Sequence, residues 1–216
     1  VKLLYRVVVF DLDGTLIEHE SSWVTLHRYF GAADHDVDAN MDLFMEGRID
    51  YGRWMELDIA LWESRHPTLD HVEDAFRLVT VPQSTADAIG RLKAAGVRVY
   101  IVSSGIDVLA QSVGDQLGVD GVYANTLDAD ENGALTGTGT CAVDPLRKHE
   151  VVLEIAARED VPLEEIACVG DTKYDISMFE GVGGKFALHP KHSELVEASD
   201  ASFEDISDLV SHILSE

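Results

Sequence analysis

Apolar residues along this chain follow two rhythms. Residues 6–10 (RVVVF), 97–102 (VRVYIV) and 166–169 (IACV) are short continuous apolar runs rich in β-branched side chains, the pattern of strands buried on both faces. A further short strand is expected over 185–188. Apolar positions recur at helical spacing over 85–95, 107–117, 147–158 and 206–214. The alternation of strand and helix predicts an α/β fold, a Rossmann-like parallel sheet with helices on both faces. Within 125–138, Glu131-Asn132-Gly133 is a turn signal between two short arms and predicts a β-hairpin hung on that sheet.

Residues 17–84 break the alternation. They hold no buried-strand run, but helical patterns cover 21–30, with Ser21 or Ser22 as N-cap, 38–46, 51–63 and 69–79. The expected organisation is therefore a core of 1–16 and 85–216 with a small all-helical cap, 17–84, inserted after the first strand. All three tryptophans, Trp23, Trp54 and Trp62, fall in the insert with Met41, Phe44, Met45 and Tyr51. So small a lobe needs bulky side chains to make any core, and some of them can also line a pocket. The glycine-rich piece 181–184 reads as a loop, because no G-x-G-x-x-G opens a helix there.

Composition narrows the function. Sixteen Lys and Arg face forty Asp and Glu, giving a formal charge of −24 spread along the chain, which argues against a nucleic-acid partner. The periodic apolar segments exclude disorder, so a folded acidic surface is expected. Asp outnumbers Glu and Lys is rarer than Arg, a composition like that of halophilic proteins, whose self-repulsion is screened by concentrated salt. No apolar run approaches membrane-spanning length, and the start VKLLYRVVVFD carries no small-residue cleavage site. A cytoplasmic protein without a membrane partner is the expectation. Cys141, among Thr and Gly, and Cys168, inside IACVG, suggest two small side chains rather than a zinc site.

Each of the three main apolar runs ends in a polar cluster. Asp11-Leu12-Asp13-Gly14-Thr15 follows the first, Ser103-Ser104-Gly105 the second, and Gly170-Asp171-Thr172 the third, with Asp175 four residues beyond Asp171. In a parallel sheet these ends open on one edge, where ligands bind in open α/β folds, so the clusters are expected to converge. Carboxylates gathered there would repel unless a proton or a cation intervened. Oxygen ligands from Asp11, Asp171 and a backbone carbonyl near Asp13 suit Mg²⁺, with Ca²⁺ the lesser alternative. Ser103, Thr15 and the backbone N–H groups at Ser104-Gly105 could donate to a phosphate, and Lys148, at the start of a helix, would add a cation.

Asp11-Leu-Asp13-Gly-Thr15, Ser103, Lys148 and Gly170-Asp171 with Asp175 resemble, in order and spacing, the four signature motifs of the haloacid dehalogenase superfamily. The insert directly after the first motif resembles that of its phosphoserine phosphatase branch. Glu20, Met45-Glu46-Gly47, Ala124-Asn125, Leu135-Thr136-Gly137 and Asp175-Ile-Ser-Met-Phe179 are further similar pieces. The resemblance implies a Mg²⁺-dependent phosphatase acting on a small phosphorylated metabolite. Asp11 would be the nucleophile, Asp13 the general acid and base, and Thr15, Ser103 and Lys148 the holders of the phosphoryl oxygens. Asp171 would ligate the metal, and Asp175 would either reach it through water or orient Lys148. The acid at Asp13 favours hydrolysis over dehalogenation. A phosphotransferase or mutase would use the same Asp11 and differ in the acceptor, whereas a noncatalytic binding protein would be expected to have lost a motif residue.

The same resemblance places Glu20 where the branch binds the substrate amine; its alternative role is a first-turn helix carboxylate. It also places Asp58 where the branch has an arginine for the substrate carboxylate, with Arg48 and Arg53 nearby but out of register. A carboxylate cannot do a guanidinium's work there. Tyr174 departs again from the branch, which has asparagine before the final aspartate, and Lys173 adds charge beside the metal site. A small phosphate monoester, with phosphoserine the leading named candidate, is the resulting expectation.

Overall fold

The computed structural model describes residues 3–215. Its seven strands form one sheet: β1 (Val7–Phe10), β2 (Arg98–Ile106), β3 (Gly121–Ala129), β4 (Leu135–Thr140), β5 (Ile166–Gly170), β6 (Gly184–Leu188) and β7 (Ala201–Phe203). Their order is β4-β3-β2-β1-β5-β6-β7, all parallel except for the antiparallel β3–β4 hairpin.

The continuous apolar runs follow from burial on both faces. Val8, Phe10, Val99, Ile101, Ala167 and Val169 point into one core cluster, which takes in Ile89 and Leu92 of α5 (Gln83–Ala94), Leu109 and Val113 of α6 (Asp107–Leu117) and Leu209 of α9 (Ile206–Ser215). The alternate residues Val7, Val9, Tyr100, Val102, Ile166 and Cys168 point the other way, against Val151, Val152 and Ile155 of α7 (Lys148–Glu159). All four residues of β1 are fully buried. At roughly 1.5–3 kcal/mol per fully buried aliphatic or aromatic side chain, this central strand anchors the sheet.

Four helices lie between β1 and α5: α1 (Ser22–Phe30), α2 (Asp34–Met45), α3 (Tyr51–Ala60) and α4 (Leu69–Phe76). Ser21 is the N-cap of α1, accepting from the Val24 N–H, while Ser22 turns its hydroxyl inward to accept from the Ile106 N–H at 3.0 Å. Helix α2 starts four residues before the expected 38, because Asp34 and Asp36 in its first turn suit the helix dipole. Leu26, Phe30, Ile59, Trp62, Val72 and Phe76 join the main core, while Phe44, Tyr51 and Met55 form a small cluster of their own.

Further features go beyond the apolar runs. The parallel half of β3, together with α8 (Ser193–Ala198) and β7, is not visible in the apolar pattern. Strand β2 runs on to Ile106 through a register shift after Val102, so Ser103, Ser104 and Gly105 belong to an irregular strand end. Residues Lys173–Phe179 form a 3-10 helix. Both cysteines are free, Cys141 exposed and Cys168 buried in β5. Among the described residues no helix is long and apolar enough to cross a membrane.

Candidate active site

The sheet order explains why the polar clusters meet. Phe10 pairs with Ile101 on one side and Val169 on the other, so Asp11, Ser103 and Asp171 leave adjacent strands at the same edge. The chain moves from β1 to β2 on one side and later fills β5 on the other, which makes this edge the topological switch point.

Asp11, Asp171 and Asp175 are buried there, each with a carboxylate oxygen within 4.8 Å of the others. Lys148, 1% exposed at the start of α7, bridges two of them: Nζ donates to Asp11 Oδ1 at 2.6 Å and to Asp175 Oδ1 at 2.7 Å. The second oxygen of Asp175 accepts from the backbone N–H groups of Asp171 (3.0 Å) and Thr172 (2.9 Å) and from the Thr172 hydroxyl (3.1 Å). Both Asp175 oxygens are thereby engaged in holding Lys148 and the turn after β5. Of the two roles expected for Asp175, this geometry favours orienting the lysine.

Burial pushes the Asp11 carboxyl well up, repulsion from Asp175 and Asp171 adds to this, and Lys148 opposes it. Burial pulls the Lys148 ammonium down, but its two ion pairs outweigh that and hold it charged. Asp171 is also raised, by burial first, against the pull of Lys191. Lys191, a half-exposed residue that sequence reasoning missed, sits with Nζ 2.7 Å from Asp171 Oδ2. Three carboxylates thus face two ammonium groups.

The donor set fits a hard divalent cation. Asp171 Oδ2 is wholly buried and lacks an aligned hydrogen-bond donor, Lys191 being placed for an ion pair only. Gly14, at φ +87°, lies so near that a β-carbon would come within 2.2 Å of this oxygen and 2.4 Å of Lys191 Nζ. Asp11 and Asp171 could hold Mg²⁺ with the backbone carbonyl of Asp13. The Asp13 side chain has other partners: Oδ1 meets His19 Nδ1 at 2.7 Å and Oδ2 accepts from the Ser22 N–H at 3.0 Å.

Ser103 is buried, with its hydroxyl accepting from the Gly105 N–H at 3.0 Å. The Ser104 carbonyl accepts from Tyr51 (2.7 Å), Asn125 (2.8 Å) and the Trp23 indole (3.1 Å), which pins the strand end to α1 and α3. A β-carbon on Gly105 would sit 2.3 Å from Ser22 Oγ, so only glycine fits. Thr15 is buried beside the third cluster. Its hydroxyl donates to Asp171 Oδ1 at 3.3 Å.

A cavity of about 320 Å³ joins Asp11, Asp13, Ser103, Ser104, Gly105, Lys148, Asp171 and Asp175 to the helices above them. Glu20 lines its mouth, but its carboxylate is largely exposed and pairs with Arg28 at 2.9 Å. Tyr174 lines it as well and reaches across to Met45 Sδ at 3.9 Å. Asp58 lines it too, buried, among residues that polar patterning alone did not single out: His27, Asn40 and Trp62.

Comparison with known proteins agrees with this layout. A family model described as haloacid dehalogenase-like hydrolase matches residues 5–183. The chain is 29% identical to a phosphoserine phosphatase of Methanocaldococcus jannaschii, over 96% of this chain and 97% of that one. It is 30% identical to one of Lactococcus lactis, over 85% and 84% respectively. A solved structure described as a phospho-aspartyl intermediate analogue of phosphoserine phosphatase superposes with a TM-score of 0.79 at 28% identity, covering 96% of this chain and 98% of that one. Sequence, fold and the arrangement of carboxylates therefore place the chain among the haloacid dehalogenase-like hydrolases, as an enzyme on their phosphoserine phosphatase-like branch.

Proposed function

We propose that the protein is a Mg²⁺-dependent phosphomonoester hydrolase that passes the phosphoryl group of a small metabolite through Asp11. The observation that carries this reading is the buried Lys148 held between Asp11 and Asp175 at the floor of a cavity. It sets a cation beside a carboxylate that lines the cavity, where phosphoryl charge must be offset.

In this reading an Asp11 oxygen attacks phosphorus in line as the ester P–O bond breaks. Asp13, standing apart on its His19 and Ser22 contacts, gives its proton to the departing alkoxide. Asp13 then takes a proton from water, whose oxygen attacks the phosphoaspartate, releasing inorganic phosphate and restoring Asp11. Ser103, the backbone at Ser104 and Gly105, and Lys148 hold the phosphoryl oxygens, while Thr15 and Asp175 keep Asp171 and Lys148 in place. Asp11, Asp171 and the Asp13 carbonyl would hold Mg²⁺, which would supply charge neutralisation for the phosphoryl group. Residues 17–84 act as a cap that closes the site from water and contacts the leaving group.

The test is phosphate release from a panel of phosphorylated metabolites together with ethyl phosphate, whose alcohol carries no charge. Turnover with Mg²⁺ that is lost on chelation and restored by the metal is the expected result; release unaffected by chelation would remove the metal from the scheme.

A further inference from the structure

Among the residues that line the cavity with Asp11, Asp58 is a buried carboxylate whose partners are an amide and an imidazole. Asp58, 3% exposed, accepts from Asn40 Nδ2 at 2.9 Å through Oδ1 and meets His27 Nε2 at 3.2 Å through Oδ2. The Trp62 indole N–H can only donate, and it donates to His27 Nδ1 at 3.0 Å. Nδ1 is therefore bare, and the hydrogen on Nε2 is the one given to Asp58. The imidazole serves as a neutral donor, fixed from behind by tryptophan. Among the described residues no lysine or arginine lies within 4.0 Å of Asp58. A buried carboxylate held by two neutral donors keeps most of its demand for a positive partner.

Much of the other lining is aromatic and soft. Trp23, Phe44, Tyr51 and Trp54 line the cavity, with Phe44 and Trp54 stacked at 4.8 Å between ring centres, and Met41 and Met55 fill the gaps. Aromatic faces and a carboxylate together attract an ammonium group and disfavour a second carboxylate. Glu20 is a weaker candidate for that cation, since it is exposed and already paired with Arg28. The Trp54 indole N–H is buried without an acceptor, but one neutral donor cannot offset Asp58 against an incoming carboxylate.

Resting on the phosphatase reading above, we propose that Asp58 and the aromatic wall select a phosphomonoester whose alcohol carries an ammonium group and no carboxylate. Asn40, His27 and Trp62 act as positioning residues that hold the Asp58 carboxylate toward the cavity.

The experiment measures kcat/KM for phosphoethanolamine, phosphocholine, phosphoserine and ethyl phosphate with the wild-type protein in Mg²⁺. At least one ammonium ester without a carboxylate is expected to exceed both phosphoserine and ethyl phosphate by tenfold or more. In Asp58→Asn the ratio of that ester to ethyl phosphate should fall at least tenfold, with KM carrying most of the change. Preference of the wild type for phosphoserine, or a ratio unmoved in Asp58→Asn, would overturn the proposal. The wild-type ratios stand even if the variant folds poorly. Hydrolysis of none of the four esters would count against the phosphatase reading itself, whereas turnover of ethyl phosphate without ammonium preference would count against the Asp58 inference alone.

Discussion

Lys148→Met removes the cation buried between Asp11 and Asp175 while keeping most of the length of the side chain. Breaking a buried pair by deleting one partner costs roughly 3–5 kcal/mol, because the charge left behind is neither solvated nor compensated. Here two carboxylates lose the same partner, at 2.6 and 2.7 Å. The Asp11 carboxyl, already raised by burial, rises further without the lysine that pulls it down. A carboxyl whose folded value lies above its unfolded one costs stability increasingly as pH climbs from the unfolded value to the folded one, and protonation in both states relieves the cost on the acid side. In the parent, Lys148 has a raised folded value, so its contribution is complete at any pH below the ordinary lysine range and does not vary across neutrality.

Urea unfolding in chelator, parent against variant, should therefore show a loss of about 3–5 kcal/mol near pH 8 that shrinks by about half or more near pH 5. Differences between the two proteins cancel the titration of the acidic surface they share. Added Mg²⁺ should stabilise the variant, since a bound cation supplies part of the missing charge. A loss below about 1 kcal/mol at pH 8, or one equal at both pH values, would refute the reasoning that Lys148 compensates the cluster.

Two more outcomes follow from separate features. Gly14→Ala would drive a β-carbon to within 2.2 Å of Asp171 Oδ2 at a positive φ, so Mg²⁺ affinity measured by calorimetry should fall by tenfold or more while the far-UV spectrum stays that of the parent. With a formal charge of −24, thermal stability should rise steadily with KCl from dilute buffer to molar salt; equal or greater stability in dilute buffer would remove the expectation of a salt-adapted surface.

The sequence makes the centre of the fold legible because its strands are buried on both sides. β1, β2, β5 and β6 show as apolar runs, and the polar residues that follow them mark the edge where they end. β7 is three residues long and only half buried, and the parallel start of β3 is half exposed, so neither has a run to find. Within the site, residues that stand directly after strands could be placed from the chain alone. Lys191 could not, since a half-exposed lysine in a loop carries no pattern until Asp171 is beside it. The same holds for His27 and Asn40, on α1 and α2, which meet Asp58 and Trp62 only on folding. Thr15 shows the converse: its position after the first strand was plain, but the partner of its hydroxyl depended on where Asp171 came to rest.

The most direct measurement is acid quenching of the enzyme during turnover with Mg²⁺ and substrate, followed by mass spectrometry of its peptides. A phosphoryl group on the peptide bearing Asp11, present in the parent and absent from Asp11→Asn along with nearly all phosphate release, is the predicted result. Phosphate release by Asp11→Asn at the parent rate, or a phosphoryl group found on another residue, would contradict it.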